Sequence, residues 1–223
     1  MATLDLTHPL ATDMPVYPGT EPVRVEPSAT LATDGYRTTR LDLDSHAGTH
    51  VDAPAHLTDM PSLDDLSPAR FQFTAAAVDG RPLDAREAVG VEAIRDELSV
   101  DPEEIDLVAV ITGWGRHWGT EAYFDHPYLT PEAGDWLGER NLDLAVDTIN
   151  PDPTPTSSAS DAEPDGFPVH EALFEAERLI VENLRGLDRI TGRFEIRTYP
   201  LRFDGADASP VRAVALTPEE TEE

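Results

Sequence analysis

Cysteine and lysine are both absent from this sequence of 223 residues. Without cysteine the chain can form no disulfide, carries no thiolate nucleophile and cannot bind zinc through sulfur, so a metal site would have to use histidine and carboxylate side chains. Basic residues are also scarce, because 16 arginines face 44 aspartates and glutamates and the formal net charge is −28. Such a surface repels nucleic acid and anionic lipid headgroups, so we expect neither as a partner.

Long apolar runs are missing as well. No stretch of about 18 apolar residues occurs, and the first ten residues, MATLDLTHPL, lack the basic and apolar regions of a secretion signal. We therefore expect a soluble, cytoplasmic protein. The acidic excess is spread along the whole chain. It is typical of a protein kept soluble in concentrated salt, where the Debye length falls to about 3 Å and repulsion between carboxylates is screened. The charge thus predicts a halophilic protein from a salt-rich cytosol.

The order of predicted elements indicates a single α/β domain with a mixed sheet. Hydrophobic residues make up 39% of the chain, enough for one real core. Short segments of alternating polarity predict a β-rich first 80 residues. Helices and buried strands follow. The predicted helices are 91–98, 131–139 with Thr130 as its N-cap, and 169–177; the predicted strands are 107–111, 142–146, 179–182 and 194–203.

Two segments are predicted to have no regular structure. Residues 150–167 combine prolines with a Ser/Asp/Glu cluster and show no apolar periodicity, which predicts a mobile acidic loop inside a domain that spans 1–216. Residues 217–223 are acidic and predict a frayed tail.

The segment SHAGTHVDAPAH, residues 45–56, contains three of the seven histidines. In an extended segment, His50 and Asp52 point to the same side, and a tight turn at Gly48 could bring His46 round to meet them. Two imidazoles and one carboxylate form a normal ligand set for Zn²⁺, Mn²⁺ or Fe²⁺. His56 lies beyond the bend at Pro54. By itself it could be a fourth ligand, a general base beside the metal, or a structural histidine.

Glu182 is a second candidate because it ends the apolar segment 179–181. A carboxylate there is expected to be partly buried, and a buried carboxylate needs a cation or a hydrogen-bond network. His170 gives a weaker signal, since a histidine that follows Pro168 at a helix start is as often a capping residue.

The run HAGTHVDAPAH resembles the HxGTHxDxPxH signature of the metal-dependent cyclase and kynurenine formamidase-like hydrolase family, with agreement at all seven fixed positions. The resemblance extends over nearly the whole chain, through segments that are similar to the family's N-terminal substrate loop, central strand end and C-terminal strand: 14–19, 112–114 and 209–213. It implies a fold of the swivelling β/β/α type and a homo-oligomer, usually a homodimer or homotetramer.

The resemblance also implies two sets of metal ligands. The first is His46, His50 and Asp52, and the second is Asp52, His170 and Glu182, with Asp52 and Glu182 able to bridge. One or two divalent ions per subunit, zinc or manganese, would be bound there.

The remaining roles implied by the resemblance concern the substrate. His56 takes the acid/base role, and Tyr17 occupies the position of an aromatic residue that contacts the ring of a small-molecule substrate. The implied reaction is metal-dependent hydrolysis of an amide, formamide or lactam C–N bond. N-Formylkynurenine, an intermediate of tryptophan catabolism, and isatin-like lactams are the candidate substrates. Several formamidases have Trp where this chain has Tyr17, which weakens transfer of the exact substrate.

Two other functions stay open at this stage. His50, Asp52 and His170 could form the facial triad of a non-haem Fe(II) oxygenase, although that would leave His46, His56 and Glu182 without a role. A non-catalytic metal-dependent binding protein on the same scaffold is the other, and the presence of His56 argues against it.

Overall fold

A computed structural model describes residues 1–218 of the chain. The strands are β1 (Ala2–Asp5), β2 (Arg24–Ala29), β3 (Thr38–Asp42), β4 (His50–Asp52), β5 (Gln72–Asp79), β6 (Ala88–Val89), β7 (Leu107–Ile111), β8 (Tyr128–Leu129), β9 (Asp143–Val146), β10 (Ile180–Glu182), β11 (Arg193–Arg197), β12 (Ala208–Pro210) and β13 (Val214–Thr217). The α-helices are α1 (Leu31–Asp34), α2 (Val91–Glu97), α3 (Pro131–Glu139) and α4 (Pro168–Glu175).

Nine of these strands form one curled mixed sheet in the order β1-β13-β11-β5-β7-β9-β10-β4-β12. The four central strands β5, β7, β9 and β10 are parallel, and the flanking pairs are antiparallel. Two small two-stranded sheets, β2 with β3 and β6 with β8, lie outside it. The predicted α/β class with a mixed sheet is confirmed.

Both faces of the central strands are buried. Val108 and Val110 of β7 pack under the helices, against Ile94 of α2, Leu137 of α3 and Leu173 of α4. The alternate β7 residues face the other side, where the curled sheet brings β4, β11 and β13 over them. Strand β7 is buried along its whole length, so neither of its faces favours polar residues, which explains the unbroken apolar run that predicts it.

The predicted bounds of helices and strands agree best with the structure where the local sequence signal is strong. Strand β7 covers the predicted residues 107–111, and α3 covers 131–139, where the Thr130 side chain accepts a hydrogen bond from the Ala133 N–H as an N-cap should. The last predicted strand is too long, since β11 ends at Arg197. Next to it, the Thr198 N–H donates to the Phe71 carbonyl, outside the sheet ladder.

Residues 150–167 form no helix or strand, as predicted. Asn150, Asp152 and Thr154, in the first five residues of the segment, are buried. The mobility of the segment stays a prediction. The predicted tail, 217–223, falls mostly outside the described residues; its first residue, Thr217, pairs with Ala2 in the sheet. Within 1–218, no helix is long and apolar enough to cross a membrane.

Candidate metal centre

A turn at residues 44–48 positions the first part of the site. Gly48 has φ +70°, a left-handed conformation that favours glycine, and a Cβ there would lie 3.1 Å from the side chains of Leu10 and Met14. The chain reverses direction through this turn, so the His46 side chain lies next to β4. Its Nδ1 lies 3.0 Å from Asp52 Oδ1, as the sequence predicts for a turn at Gly48.

The register of β4 with β10 places three further groups on one face. His50 and Asp52 are two residues apart in β4, so they point to the same side. Glu182 of β10 is the direct partner of His50, and the His50 Nε2 lies 3.2 Å from Glu182 Oε2. Paired residues of adjacent strands share a face, so the ladder itself brings these three side chains together.

Helix α4 supplies the last predicted ligand. His170 lies in its first turn, and its Nε2 is 3.7 Å from Asp52 Oδ2 and 3.3 Å from Glu182 Oε1. Asp152 sits at the same helix N-terminus, where its carboxylate accepts hydrogen bonds from the Val169 and His170 N–H groups. A carboxylate is favourable there, since the first N–H groups of a helix have no partner within it.

The five predicted ligand residues therefore converge on one place. Their ligand atoms form two groups that share one residue: His46, His50 and Asp52 in the first, and Asp52, His170 and Glu182 in the second. All of these residues are buried except His46, which is partly exposed. These groups match the two sets that the family resemblance implies.

Each of the three imidazoles is held by its outer nitrogen. His50 Nδ1 donates to the Gly48 carbonyl at 2.7 Å, and His170 Nδ1 donates to Asp152 at 2.6 Å. His46 Nε2 donates to Asp207 at 3.0 Å. A neutral imidazole with its proton on the outer nitrogen presents a bare lone pair on the inner one. The inner nitrogens are therefore free to bind a metal.

The atoms that point into the cluster are hydrogen-bond acceptors, and they face other acceptors. His50 Nε2, both oxygens of Asp52 and Glu182 Oε1 are buried and have no hydrogen-bond partner within residues 1–218. Such groups are costly to bury unless a cation or extra protons lie between them. Imidazole nitrogen and carboxylate oxygen are the donors that Zn²⁺ and Mn²⁺ bind, so the residues present fit a divalent metal.

The electrostatics of the cluster lead to the same conclusion. Burial alone would lower the pKa of His50 and of His170, but the adjoining carboxylates raise the pKa of both well above its usual value. Burial would raise the pKa of Asp52, yet His50 and His46 hold it well below the usual range. The carboxylates thus attract positive charge, which bound metal can supply in place of ring protons.

His56 lies at the edge of this cluster and not inside it. Its side chain is 34% exposed, and its Nδ1 is 3.4 Å from Asp207 Oδ2. Partial burial lowers the pKa of His56, and the nearby His46 lowers it further, so the ring is neutral at neutral pH. With its proton on Nδ1 beside Asp207, the ring has Nε2 available to accept a proton.

The cluster forms the floor of a cavity of about 330 Å³. Tyr17 lines this cavity together with Val16, Ile149 and Phe167, and the Tyr17 and Phe167 rings are 6.1 Å apart between centroids. An apolar, aromatic wall over a polar floor is typical of a small-molecule site. The predicted position of Tyr17 at a substrate is compatible with this geometry.

Three further residues belong to the site and were not predicted from the sequence. Asp152 is hidden in the proline-rich segment 150–167, Asp207 follows an exposed turn, and Asn183 looks like the residue after a strand end. All three line or support the cavity through contacts with distant parts of the chain. Asn150 provides the one local signal for Asp152. It stands two residues before Asp152, and its side-chain oxygen accepts a hydrogen bond from the Asp152 N–H.

Comparisons with known proteins agree with this arrangement. The model of the Cyclase family matches residues 4–153. Kynurenine formamidase from Bordetella avium is 30% identical over 220 residues, covering 94% of this chain and 95% of that protein. Kynurenine formamidase from Bacillus cytotoxicus is 27% identical over 216 residues, covering 95% of each.

A solved structure gives the same result for the fold. Isatin hydrolase A from Ralstonia solanacearum superposes with a TM-score of 0.84 at 27% identity, covering 96% of this chain and 91% of that one. The family match spans more than half of the chain, and the similarity to relatives spans nearly all of it. The resemblance seen in the HxGTHxDxPxH motif is thereby confirmed, and the chain belongs to the Cyclase family.

Proposed function

We propose that this protein is a metal-dependent hydrolase that cleaves the C–N bond of an amide, formamide or lactam. The observation that carries the proposal is the pair of ligand groups joined at the buried Asp52 on the floor of a small-molecule cavity. The kynurenine formamidases and isatin hydrolase to which the chain is similar support the same reaction class.

The five converging side chains would hold the metal. His46, His50 and Asp52 provide one set of donors and Asp52, His170 and Glu182 the other, so one or two ions per subunit can be accommodated. When bound, a divalent metal polarises the substrate carbonyl and lowers the pKa of water to about 7. Zinc and manganese are the ions we propose, because both accept nitrogen and oxygen donors.

His56 would move the proton. Its neutral ring stands at the edge of the cluster with Nε2 free, so it can take the proton from the attacking water and deliver it to the departing nitrogen. Asp207 lies beside His56 Nδ1 and accepts from His46 Nε2, so one carboxylate orients both rings.

The cavity walls suggest the kind of substrate. Tyr17, Val16, Ile149 and Phe167 present apolar surface to the group attached to the reacting carbonyl. A small aryl formamide or an isatin-like lactam would place its ring there and its C–N bond near the polar floor. N-Formylkynurenine and isatin are therefore the first compounds to test.

We also propose a compartment, a set of excluded partners and an oligomeric state for the protein. Its net charge of −28 supports a salt-rich cytoplasm and the absence of nucleic acid and membrane partners. Membership of the family supports a homodimer or homotetramer.

The other two functions receive less support. An Fe(II) oxygenase needs two histidines and one carboxylate, whereas here His46 and Glu182 join the same cluster and would have no role. A protein that only binds metal would not need a partly exposed, neutral histidine such as His56 beside the metal donors.

A substrate panel tests the proposal. Purified protein in high salt, with added Zn²⁺ or Mn²⁺, is assayed on N-formylkynurenine, isatin, simple cyclic amides and a matching ester, while 2-oxoglutarate and O₂ consumption are followed in parallel. We expect metal-dependent hydrolysis of at least one C–N substrate and no O₂ consumption. Metal binding without turnover of any compound would favour the binding protein.

A further inference from the structure

Asn183 directly follows Glu182 and has an unusual backbone. Its φ is +57°, a left-handed conformation that few residues other than glycine adopt and that asparagine tolerates best. In an extended strand the side chains of residues 182 and 183 would point to opposite faces. Here the left-handed turn breaks that alternation, and both residues line the same cavity.

Nearly every polar group of Asn183 already has a partner. Its backbone N–H donates to the Thr148 carbonyl at 2.9 Å, and its own carbonyl accepts from Thr49 Oγ1 at 2.6 Å. Its side-chain Oδ1 accepts from the Tyr123 hydroxyl at 2.8 Å. Among residues 1–218 nothing accepts a hydrogen bond from the side-chain nitrogen Nδ2, although the residue is only 3% exposed.

Tyr123 fixes which way the amide points. Its ring is fully buried, and burial raises the pKa of its phenol well above the usual value, so the hydroxyl keeps a proton to donate. The Asp147 carbonyl is the other acceptor near this hydroxyl and is farther away, at 3.5 Å. With Oδ1 held by Tyr123, Nδ2 is left for a group in the cavity.

We propose that the Asn183 side-chain amide donates a hydrogen bond to the carbonyl oxygen of the substrate. A preorganised donor stabilises the negative charge that develops on this oxygen during attack by water, and it costs no reorganisation when the reaction occurs. The fixed backbone and the Tyr123 bond provide that preorganisation. The inference rests on the proposed C–N hydrolysis, because it assigns a residue to that reaction.

Asn183→Gly removes the amide and keeps a residue that accepts φ +57° without strain. Asn141→Gly is the matched control, since Asn141 has the same φ, lies at the surface after α3 and does not line the cavity. We expect Asn183→Gly to retain wild-type metal content and to lose about 10²- to 10³-fold in kcat with little change in KM. Its melting temperature should fall, because the buried Tyr123 hydroxyl loses its acceptor. The control should match the wild type. Tyr123→Phe should show a smaller loss of kcat, because the Asn183 amide remains but is no longer held in one orientation.

Infrared spectra of bound benzamide labelled with carbon-13 at the carbonyl provide a readout that does not depend on turnover. A hydrogen bond lowers the carbonyl stretching frequency, so the bound band should lie lower in the wild type and in Asn141→Gly than in Asn183→Gly. Coincident bands, no bound benzamide in the wild type, or an unchanged kcat in Asn183→Gly would overturn the assignment. If the wild type hydrolyses no substrate, the proposed function fails, and the band comparison still decides the role of Asn183.

Discussion

His56 and Asp52 line the same cavity, but we expect their replacement to have different effects on metal binding and turnover. His56→Ala removes a half-exposed group at the edge of the cluster, so bound metal should stay nearly constant while turnover falls by about 10²- to 10⁴-fold. Asp52→Ala removes the carboxylate shared by both ligand groups and should lose metal and activity together. Elemental analysis and hydrolysis rates measure the two effects, with His117→Ala as a control outside the cavity. Loss of metal in His56→Ala would make His56 a ligand and contradict its proposed role.

Asp152 is predicted to set the tautomer of His170. Asp152 Oδ1 accepts from the Val169 N–H, and Oδ2 accepts from both the N–H and the Nδ1–H of His170. In Asp152→Asn the amide oxygen can still accept from the Val169 N–H, but the amide nitrogen would take the place of Oδ2, donate to His170 Nδ1 and drive the ring proton to Nε2. A proton on Nε2 would face Asp52 and Glu182, where the metal is to bind. We expect metal affinity to fall about 10- to 100-fold, measured by competition with a chelator. Asp161→Asn, an exposed change in the same segment, should have wild-type affinity, and equal affinities in both variants would refute the orienting role.

At the scale of elements, local signals predict the scaffold and long-range contacts complete the site. Strand β7 and helix α3 follow from apolar runs and an N-cap that lie within the elements themselves. The convergence of His46, His50 and Asp52 also follows from local geometry, since a glycine turn and the two-residue period of a strand suffice. In contrast, Asp207 meets His46 across 161 residues of chain and Asp152 meets His170 across 18, through loops without periodicity. No pattern near either aspartate in the sequence reports its partner.

The segment 150–167 is anchored by a buried histidine, which makes its stability depend on pH. His126 Nε2 bonds with Thr154 Oγ1, and burial lowers the pKa of His126 to about 4, against an unfolded value of 6.5. The unfolded state therefore binds a proton between pH 6.5 and 4 that the folded state does not, and stability falls as the pH decreases through this window. The contribution is about 3 kcal/mol over the window.

Urea unfolding at several pH values tests this dependence. His126→Gln lacks the titrating ring, so the difference in unfolding free energy between wild type and variant should decrease as the pH falls from 6.5 to 4. His117→Gln, which leaves the contact with Thr154 intact, should follow the wild type. Parallel curves for wild type and His126→Gln would show that the buried histidine is not the cause.

At the scale of the whole molecule, the net charge of −28 dominates the expected behaviour. Repulsion among 44 carboxylate side chains destabilises the compact state in dilute buffer, and added salt screens it. The melting temperature should therefore rise as KCl increases from tenths molar to molar, measured by circular dichroism. Sucrose at matched osmolality is the control for effects that do not depend on charge. A flat or falling melting temperature in KCl would contradict adaptation to a salt-rich cytosol.

The turn at Gly48, strands β4 and β10 and helix α4 together build one metal-binding floor from two distant parts of the chain, residues 46–52 and 170–182. We propose that this floor must hold a divalent ion for C–N hydrolysis. Its most direct test is a titration of chelator-treated protein with Zn²⁺ or Mn²⁺, following hydrolysis of the best substrate in the panel against equivalents of metal bound. We expect no hydrolysis in stripped protein and recovery that is complete at one or two equivalents per subunit. Full activity in protein shown to be free of metal would contradict it.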